Sequence, residues 1–286
     1  MNDMTPRSFE GREYPYTPQD FAAVSAMVHA HSGICLPQTK TMLVYSRLAK
    51  LVRERGLPDF AAYIDLIRRD AAERQRAIEA MTTNHTKFFR EDHHFDQFDR
   101  DVRPGLIDRL DAGGRVRMWC AAASTGEEPY SLAMRLLGSD RAQGRVIAGG
   151  DVAILGTDLS GAVLDVARRG LYPAALAPDI PADLRQTWTR VSGGTLAIAP
   201  MLRDMVRYRR LNLLNAWPMH GKFDVIFCRN VMIYFDEPTR ERLVERLVDQ
   251  LAPGGHLYIG HSERIGGAAA DRLRAIGQTV YRKHGA

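Results

Sequence analysis

The amino-acid sequence predicts an α/β fold: a parallel sheet that carries a small inserted antiparallel β-subdomain, preceded by an all-α N-terminal domain. Three observations point there. Up to about Met81, apolar residues recur at helical spacing and glycine is sparse. After about Arg100 the texture changes to short apolar runs separated by Gly, Pro and Asp. These runs alternate with helix-length segments, the pattern of βαβ units. Between Tyr172 and Leu211, Pro173, Pro178, Pro181 and Pro200 and the pair Gly193-Gly194 interrupt that alternation and mark an insertion.

Residues 1–15 are polar, hold Pro6 and Pro15 and show no periodicity, so they read as a loose tail. The helical domain spans residues 16–88. Thr17-Pro18-Gln19-Asp20 supplies an N-cap followed by proline at the first helical position. Phe21, Val24, Met27 and Val28 then form one apolar face. After a break at Ser32-Gly33, a second helix runs from Gln38 to Arg55 and stops at Gly56. Asp59–Arg68 and Ala71–Met81 are two more helices.

The second domain spans residues 89–286. Its strands are Val116–Ala121, Val152–Thr157, Phe223–Cys228 and His256–Gly260, with Gln278–Lys283 as the last. Helices follow at Pro129–Leu137, Ala162–Arg169 and Pro238–Leu251. Within the insertion, placed at about 172–211, Thr195–Ala199 and Met205–Arg209 are candidates for an antiparallel hairpin.

A length of 286 residues allows one large or two modest domains, and 45% hydrophobic with 26% charged residues excludes disorder throughout. No window approaches the roughly 20 apolar residues of a membrane span. No secretory signal is visible at the N-terminus, so a cytoplasmic protein is expected. Cys35, Cys120 and Cys228 are too scattered for a disulfide framework or a zinc site. A net charge of +5 is compatible with an acidic partner and decides little. His29/His31 and His93/His94 lack further ligands at metal spacing, so no metal is expected.

Three segments carry chemistry. The first strand runs into Ala121-Ala122-Ala123-Ser124-Thr125-Gly126-Glu127-Glu128-Pro129-Tyr130-Ser131. Small residues at such a turn let backbone approach a ligand. With Gly126 alone the match to G-x-G-x-x-G is poor, and the two acids suit a cationic or hydroxyl- and amino-rich ligand rather than a pyrophosphate. A plain tight turn is the alternative. Asp158 ends the next strand, where an acid bonds the ribose hydroxyls of an adenosine cofactor or else serves the following helix N-terminus. The third strand ends in Cys228-Arg229-Asn230, at the carboxyl edge where open α/β sheets bind ligands. There, too, Arg229 paired with a structural acid and Tyr234 as half-buried packing remain open.

Taken in order, Thr82-Thr83-Asn84-His85-Thr86-Lys87-Phe88-Phe89-Arg90-Glu91, Ala123–Ser131 and Phe227-Cys228-Arg229-Asn230-Val231-Met232-Ile233-Tyr234-Phe235 closely resemble the chemotaxis receptor methyltransferases, the CheR family. The resemblance covers about Tyr16 to Lys283. It implies a Rossmann-like S-adenosylmethionine-dependent methyltransferase sheet behind a receptor-recognition domain. The implied activity is methyl transfer from S-adenosylmethionine to glutamate side chains of methyl-accepting chemotaxis receptors, giving methyl esters and S-adenosylhomocysteine. By position it implies a cofactor site of Asn84, Thr86, Arg90, one of Glu127 and Glu128, Asp158, Asn212, Leu213, Arg229 and Asn230. His85 and Lys87 stand where the family varies.

The chemistry is consistent with these residues. A carboxylate of pKa about 4.3 is already ionised at neutral pH, so no general base is needed. Alignment in a water-excluding site supplies most of the rate. Tyr234 is the candidate for holding the glutamate, and Arg90 for positioning and binding. On the second helix Arg47, Lys50 and Arg53 form a basic stripe, either an ordinary solvated face or, as favoured here, the dock for an acidic receptor helix. The expected partner is the receptor alone, with no nucleic acid, no membrane insertion and a monomeric enzyme. A nucleic-acid methyltransferase is disfavoured because Cys228-Arg229-Asn230-Val231 stands where amino-methylating enzymes carry an Asn-Pro-Pro-Tyr-like tetrad. A non-catalytic cofactor-sensing module is disfavoured by the intact cofactor motifs.

Overall fold

A computed structural model describes residues 13–285, so most of the expected tail over residues 1–15 lies outside the described residues. The chain forms two compact units that divide between Thr83 and Asn84.

Among its described residues the first unit holds four α-helices: α1 (Pro18–Ser32), α2 (Thr41–Glu54), α3 (Phe60–Arg69) and α4 (Ala71–Met81). A reciprocal capping box opens α1, the Thr17 hydroxyl accepting from Asp20 N at 3.1 Å and the Asp20 carboxylate from Thr17 N at 2.8 Å. Gly33, at φ 70°, closes it. The expected second helix begins as a 3-10 turn over Gln38–Lys40. Val24, Val28, Val44, Leu48, Val52, Phe60, Tyr63 and Ile67 fill the core. Glu73 is buried among them and is tolerated because Arg55, Arg76 and the Tyr63 hydroxyl all donate to it.

The second unit has ten strands: β1 (Arg115–Ala121), β2 (Asp151–Asp158), β3 (Leu171–Pro173), β4 (Thr189–Ser192), β5 (Thr195–Ile198), β6 (Val206–Arg210), β7 (Phe223–Cys228), β8 (Leu251–Ile259), β9 (Leu273–Gly277) and β10 (Val280–Lys283). The main sheet has the order β6-β2-β1-β7-β8-β10-β9. The first five of these run parallel, and β10 is antiparallel to both its neighbours. Helices α5 (His93–Gln97), α6 (Arg103–Asp111), α7 (Glu127–Leu137), α8 (Arg141–Gly149), α9 (Gly161–Arg169), α10 (Ala182–Trp188), α11 (Pro200–Met205) and α12 (Glu237–Gln250) complete it. β1 and β7 are buried along most of their length, as central parallel strands are when helices cover both faces. The chain leaves β1 toward β2 on one side and later returns to its other side as β7. That makes the carboxyl ends of β1 and β7 the topological switch point, the favoured ligand crevice of such sheets.

Four features differ from the sequence reading. The expected hairpin of Thr195–Ala199 with Met205–Arg209 does not form. β5 pairs instead with β4 across Gly193-Gly194, with Ser192 opposite Thr195. Both glycines are left-handed, at φ 56° and 77°, which suits a two-residue turn and draws the adjacent segment into the pairing. β6 lies parallel on β2 in the main sheet, because Tyr208 fits against Gly156, where a Cβ would sit 2.7 Å from its ring. The inserted sheet is therefore β3-β5-β4, spanning 171–198 rather than running on to 211. Its two ends meet, Ile198 N donating to Gly170 O at 2.9 Å.

The segment 84–88, read as part of the helical domain, belongs to the second unit. Phe88 packs edge-on against Tyr172, and Ser124 Oγ donates to Asn84 O at 3.1 Å. Pro253-Gly254-Gly255, read as a turn before a strand, is an irregularity inside β8.

Candidate active site

The loop after β1 is wound tightly: Ala122, Ser124 and Gly126 take φ of 58°, 49° and 96°. Gly126 is required by close packing as well, since a Cβ there would lie 2.7 Å from the Ala167 Cβ. Asp158, at the end of β2, fixes this loop. Its Oδ2 accepts from Ser124 N and its Oδ1 from Ser160 N, both at 2.9 Å, while its carbonyl accepts from Leu211 N at 2.9 Å. One buried acid thus joins the loops after β1, β2 and β6. It serves the N-terminus of α9, and because each carboxylate oxygen has two lone pairs, these bonds are compatible with a ligand hydroxyl.

The two acids at the start of α7 differ. Glu127 is buried and turned onto its own loop, with Thr125 Oγ1 donating at 2.7 and 3.0 Å. Burial raises its pKa, partly offset by that hydroxyl. Glu128 faces Arg229, whose Nε lies 3.4 Å from Glu128 Oε2. Burial raises the Glu128 pKa and the Arg229 charge opposes the rise.

Arg229 sits just beyond β7 with its side chain 1% exposed. Its guanidinium lies 5.7 Å from both the Phe95 and the Phe227 rings, and one Nη donates to Arg90 O. Glu91 Oε2 is 3.8 Å from its Nε, while Glu91 Oε1 accepts from Asn230 Nδ2 at 3.1 Å and meets His261 Nδ1 at 2.9 Å. Burial raises the Glu91 pKa, but His261, Arg229 and Asn230 outweigh it and hold the carboxyl at about 2. Neighbouring His94 is held neutral, its pKa lowered to about 3 by burial and then by the Arg229 charge.

One contributor was missed in the sequence. Glu263, 2% exposed, accepts from Asn230 N at 3.1 Å, Met232 N at 2.7 Å and Gly260 N at 2.6 Å. It fixes the whole turn after β7, in which Asn230 is left-handed at φ 58°. The available signal was an acid immediately after an apolar strand, in Gly260-His261-Ser262-Glu263.

The remaining candidates fall around this centre. Asn84 is bonded to the β1 loop through Ser124, Thr86 is half-buried, and Arg90 Nη1 donates to His85 O at 2.9 Å. Asn212 and Leu213 follow β6, where Asn212 Oδ1 accepts from Leu214 N at 2.9 Å. Tyr234 is half-buried in the 3-10 turn Met232–Tyr234, and no hydrogen bond joins it to Arg90 among the described residues. In the helical unit, Arg47 donates to Met81 O at 2.8 Å and Thr82 O at 2.9 Å, capping α4. Arg53 pairs with Glu13, and Lys50 is 75% exposed, 3.9 Å from Glu54.

The arrangement suits a ligand with hydroxyl and ammonium donors and a carboxylate. Buried acids line the crevice, and Arg229 Nη1 and Glu91 Oε2 are buried with no hydrogen-bond partner among the described residues.

Known proteins match along nearly the full chain. The family model described as "CheR methyltransferase, SAM binding domain" matches residues 84–282, and "CheR methyltransferase, all-alpha domain" matches residues 19–82. A probable chemotaxis protein methyltransferase of Rhizobium etli is 43% identical over 90% of this chain and 96% of its own. Chemotaxis protein methyltransferase 2 of Pseudomonas aeruginosa is 42% identical over 96% of both chains. The chemotaxis protein methyltransferase of Klebsiella aerogenes is 39% identical over 93% of this chain and 90% of its own. The helical unit and the sheet whose switch point is lined by acids and a buried arginine are thus each matched, and the chain belongs to the CheR methyltransferase family.

Proposed function

We propose that this protein transfers a methyl group from S-adenosylmethionine to glutamate side chains of chemotaxis receptors. The observation that carries the reading is the charged crevice at the carboxyl ends of β1 and β7, in a chain whose relatives are named chemotaxis protein methyltransferases.

The cofactor supplies an electrophilic methyl group on a sulfonium cation. This chain's residues bind and orient. Asp158 takes the ribose hydroxyls, and Asn212 and Leu213 line the adenosine end. Glu128 takes the ammonium group; Glu127 is committed to Thr125 and shapes the loop. Arg229 and Arg90 face the carboxylate end, with Asn84, Thr86 and Asn230 completing the wall. Tyr234 donates one hydrogen bond to the incoming glutamate and fixes its line of attack. Arg90 serves binding and positioning. A cation gripping the attacking carboxylate would favour the ionised ground state over the charge-neutralised transition state. No proton has to move, because the glutamate arrives ionised.

The receptor docks on the exposed face of α2 through Lys50 and Arg53. Arg47 contributes less, because its guanidinium is given to the end of α4.

Methyl-labelled S-adenosylmethionine and receptor membranes test the reading. Label incorporated into receptor and released as methanol on raising the pH supports it. Alkali-stable label, or none, refutes it.

A further inference from the structure

We propose that Arg246 and Trp217 are positioning residues for the cofactor's adenosine end, acting through the loop that holds Asn212 and Leu213. The inference rests on the reading of that loop given above.

Residues 211–222, between β6 and β7, contain no helix or strand, so something else must hold them. Arg246, projecting from α12, does so at two points: Nη1 donates to Leu213 O at 2.6 Å and Nη2 to Asn215 O. Its guanidinium lies 4.0 Å over the Trp217 ring. Trp217 in turn donates from Nε1 to the same Leu213 carbonyl at 3.2 Å. The indole stands edge-on against Trp119, with ring centroids 4.9 Å apart. Trp119 is fully buried in β1 and donates to Thr157 Oγ1 in β2 at 2.9 Å. An unbroken series of contacts therefore runs from the strands that end at the crevice, through two tryptophans and one arginine, to the Leu213 carbonyl.

Between the loop and α12 lies a groove of about 420 Å³, lined by Leu214–Ala216 and by Thr239, Arg242, Leu243 and Arg246 of the helix, so apolar packing does not close this side. Arg246 reaches the loop from that groove, and its two carbonyl bonds set the loop's distance from α12. Arginine is suited to this because its planar fork reaches both carbonyls while stacking on an aromatic face, which lysine does not do.

The test compares Arg246→Met, Arg246→Lys and Trp217→Phe with Asn212→Ala and Asp158→Ala by calorimetric titration of S-adenosylhomocysteine and by steady-state methylation. The expected result for Arg246→Met is a Kd for S-adenosylhomocysteine raised about tenfold or more. The KM for S-adenosylmethionine should rise in parallel, with kcat at saturating cofactor within about twofold of the parent. Arg246→Lys should recover part of the loss, and Trp217→Phe, which keeps the ring face and removes one donor, should lose less than Arg246→Met. If Arg246→Met fails to fold, the graded losses of the other two variants carry the test. Folded Arg246 and Trp217 variants with unchanged Kd, alongside a weakened Asn212→Ala, overturn the positioning role. Unchanged Kd in Asn212→Ala, with Asp158→Ala weakened, removes this loop from the cofactor site and overturns the reading on which the inference rests.

Discussion

Replacing Asp158 by Asn separates its two tasks. Both carboxylate oxygens accept a backbone N–H at 2.9 Å, from Ser124 and Ser160, in a side chain 7% exposed to solvent. An amide keeps one acceptor and turns an NH2 donor toward the other N–H. One charge-assisted bond is lost and the second weakened, each worth roughly 1.5–3 kcal/mol. Part of the loss is relieved by rotation, so about 2 kcal/mol of folding stability is the expected cost. In a domain of this size that lowers Tm by about 4–8 °C. Ligand binding suffers separately, because the charge offered to ribose hydroxyls disappears. Calorimetry should then show S-adenosylmethionine and S-adenosylhomocysteine weakened equally, by about tenfold to a hundredfold, since both share the adenosine. A Tm drop with unaltered affinity for both ligands would refute the ribose role and leave Asp158 as a purely structural staple. Unequal losses would place it near the sulfur instead.

Tyr234→Phe should lower kcat about tenfold or more while S-adenosylhomocysteine affinity stays within twofold; full kcat would remove the hydroxyl from catalysis. Lys50→Glu should raise KM for receptor, more at low salt than at high, with cofactor Kd unchanged, as read by receptor methylation across an ionic-strength series. Arg47→Ala, by contrast, should cost about 1–3 kcal/mol of stability in thermal unfolding, because two carbonyls at the end of α4 lose their donor. His94 is neutral in the folded protein, with a pKa of about 3 against about 6.5 unfolded. The unfolded chain therefore binds the extra proton first, and stability falls as pH drops from about 6.5 toward 3, by about 2 kcal/mol at pH 5. A His94→Gln variant should flatten that slope in urea titrations, and an unchanged slope would show that another group controls it.

Much of this architecture was legible because the deciding signals are local. The Thr17–Asp20 capping box, the glycine stops and the apolar runs Met118–Ala121 of β1 and Val225–Cys228 of β7 each depend on neighbours within a few residues. The failures share the opposite property. Val206-Arg207-Tyr208 reads equally well as a hairpin arm or a parallel edge strand, and the choice is made by Gly156, about fifty residues away, leaving room for the Tyr208 ring. Glu263 was missed for a related reason: besides the nearby Gly260 N it bonds backbone N–H groups of the distant turn after β7, and an acid following an apolar strand does not reveal those partners. The α2 stripe had the right spacing, but spacing does not reveal that Arg47 is spent on carbonyls of another helix.

The closed neck of the inserted sheet has an evolutionary consequence. Gly170 and Ile198 are hydrogen-bonded to each other, and β3 pairs directly with β5, so the excursion leaves and rejoins the main fold at nearly one point. Residues can then be added or removed at the Gly193-Gly194 tip without moving α9 or β6, and each doubling of a flexible tip costs only about 0.6 kcal/mol. Asp158 and Tyr208, by contrast, sit in register with strands that cannot slip without breaking the crevice. The same chain therefore joins a portion that tolerates drift in length to a portion that does not, and descendants of this sequence should diverge first at residues 192–195.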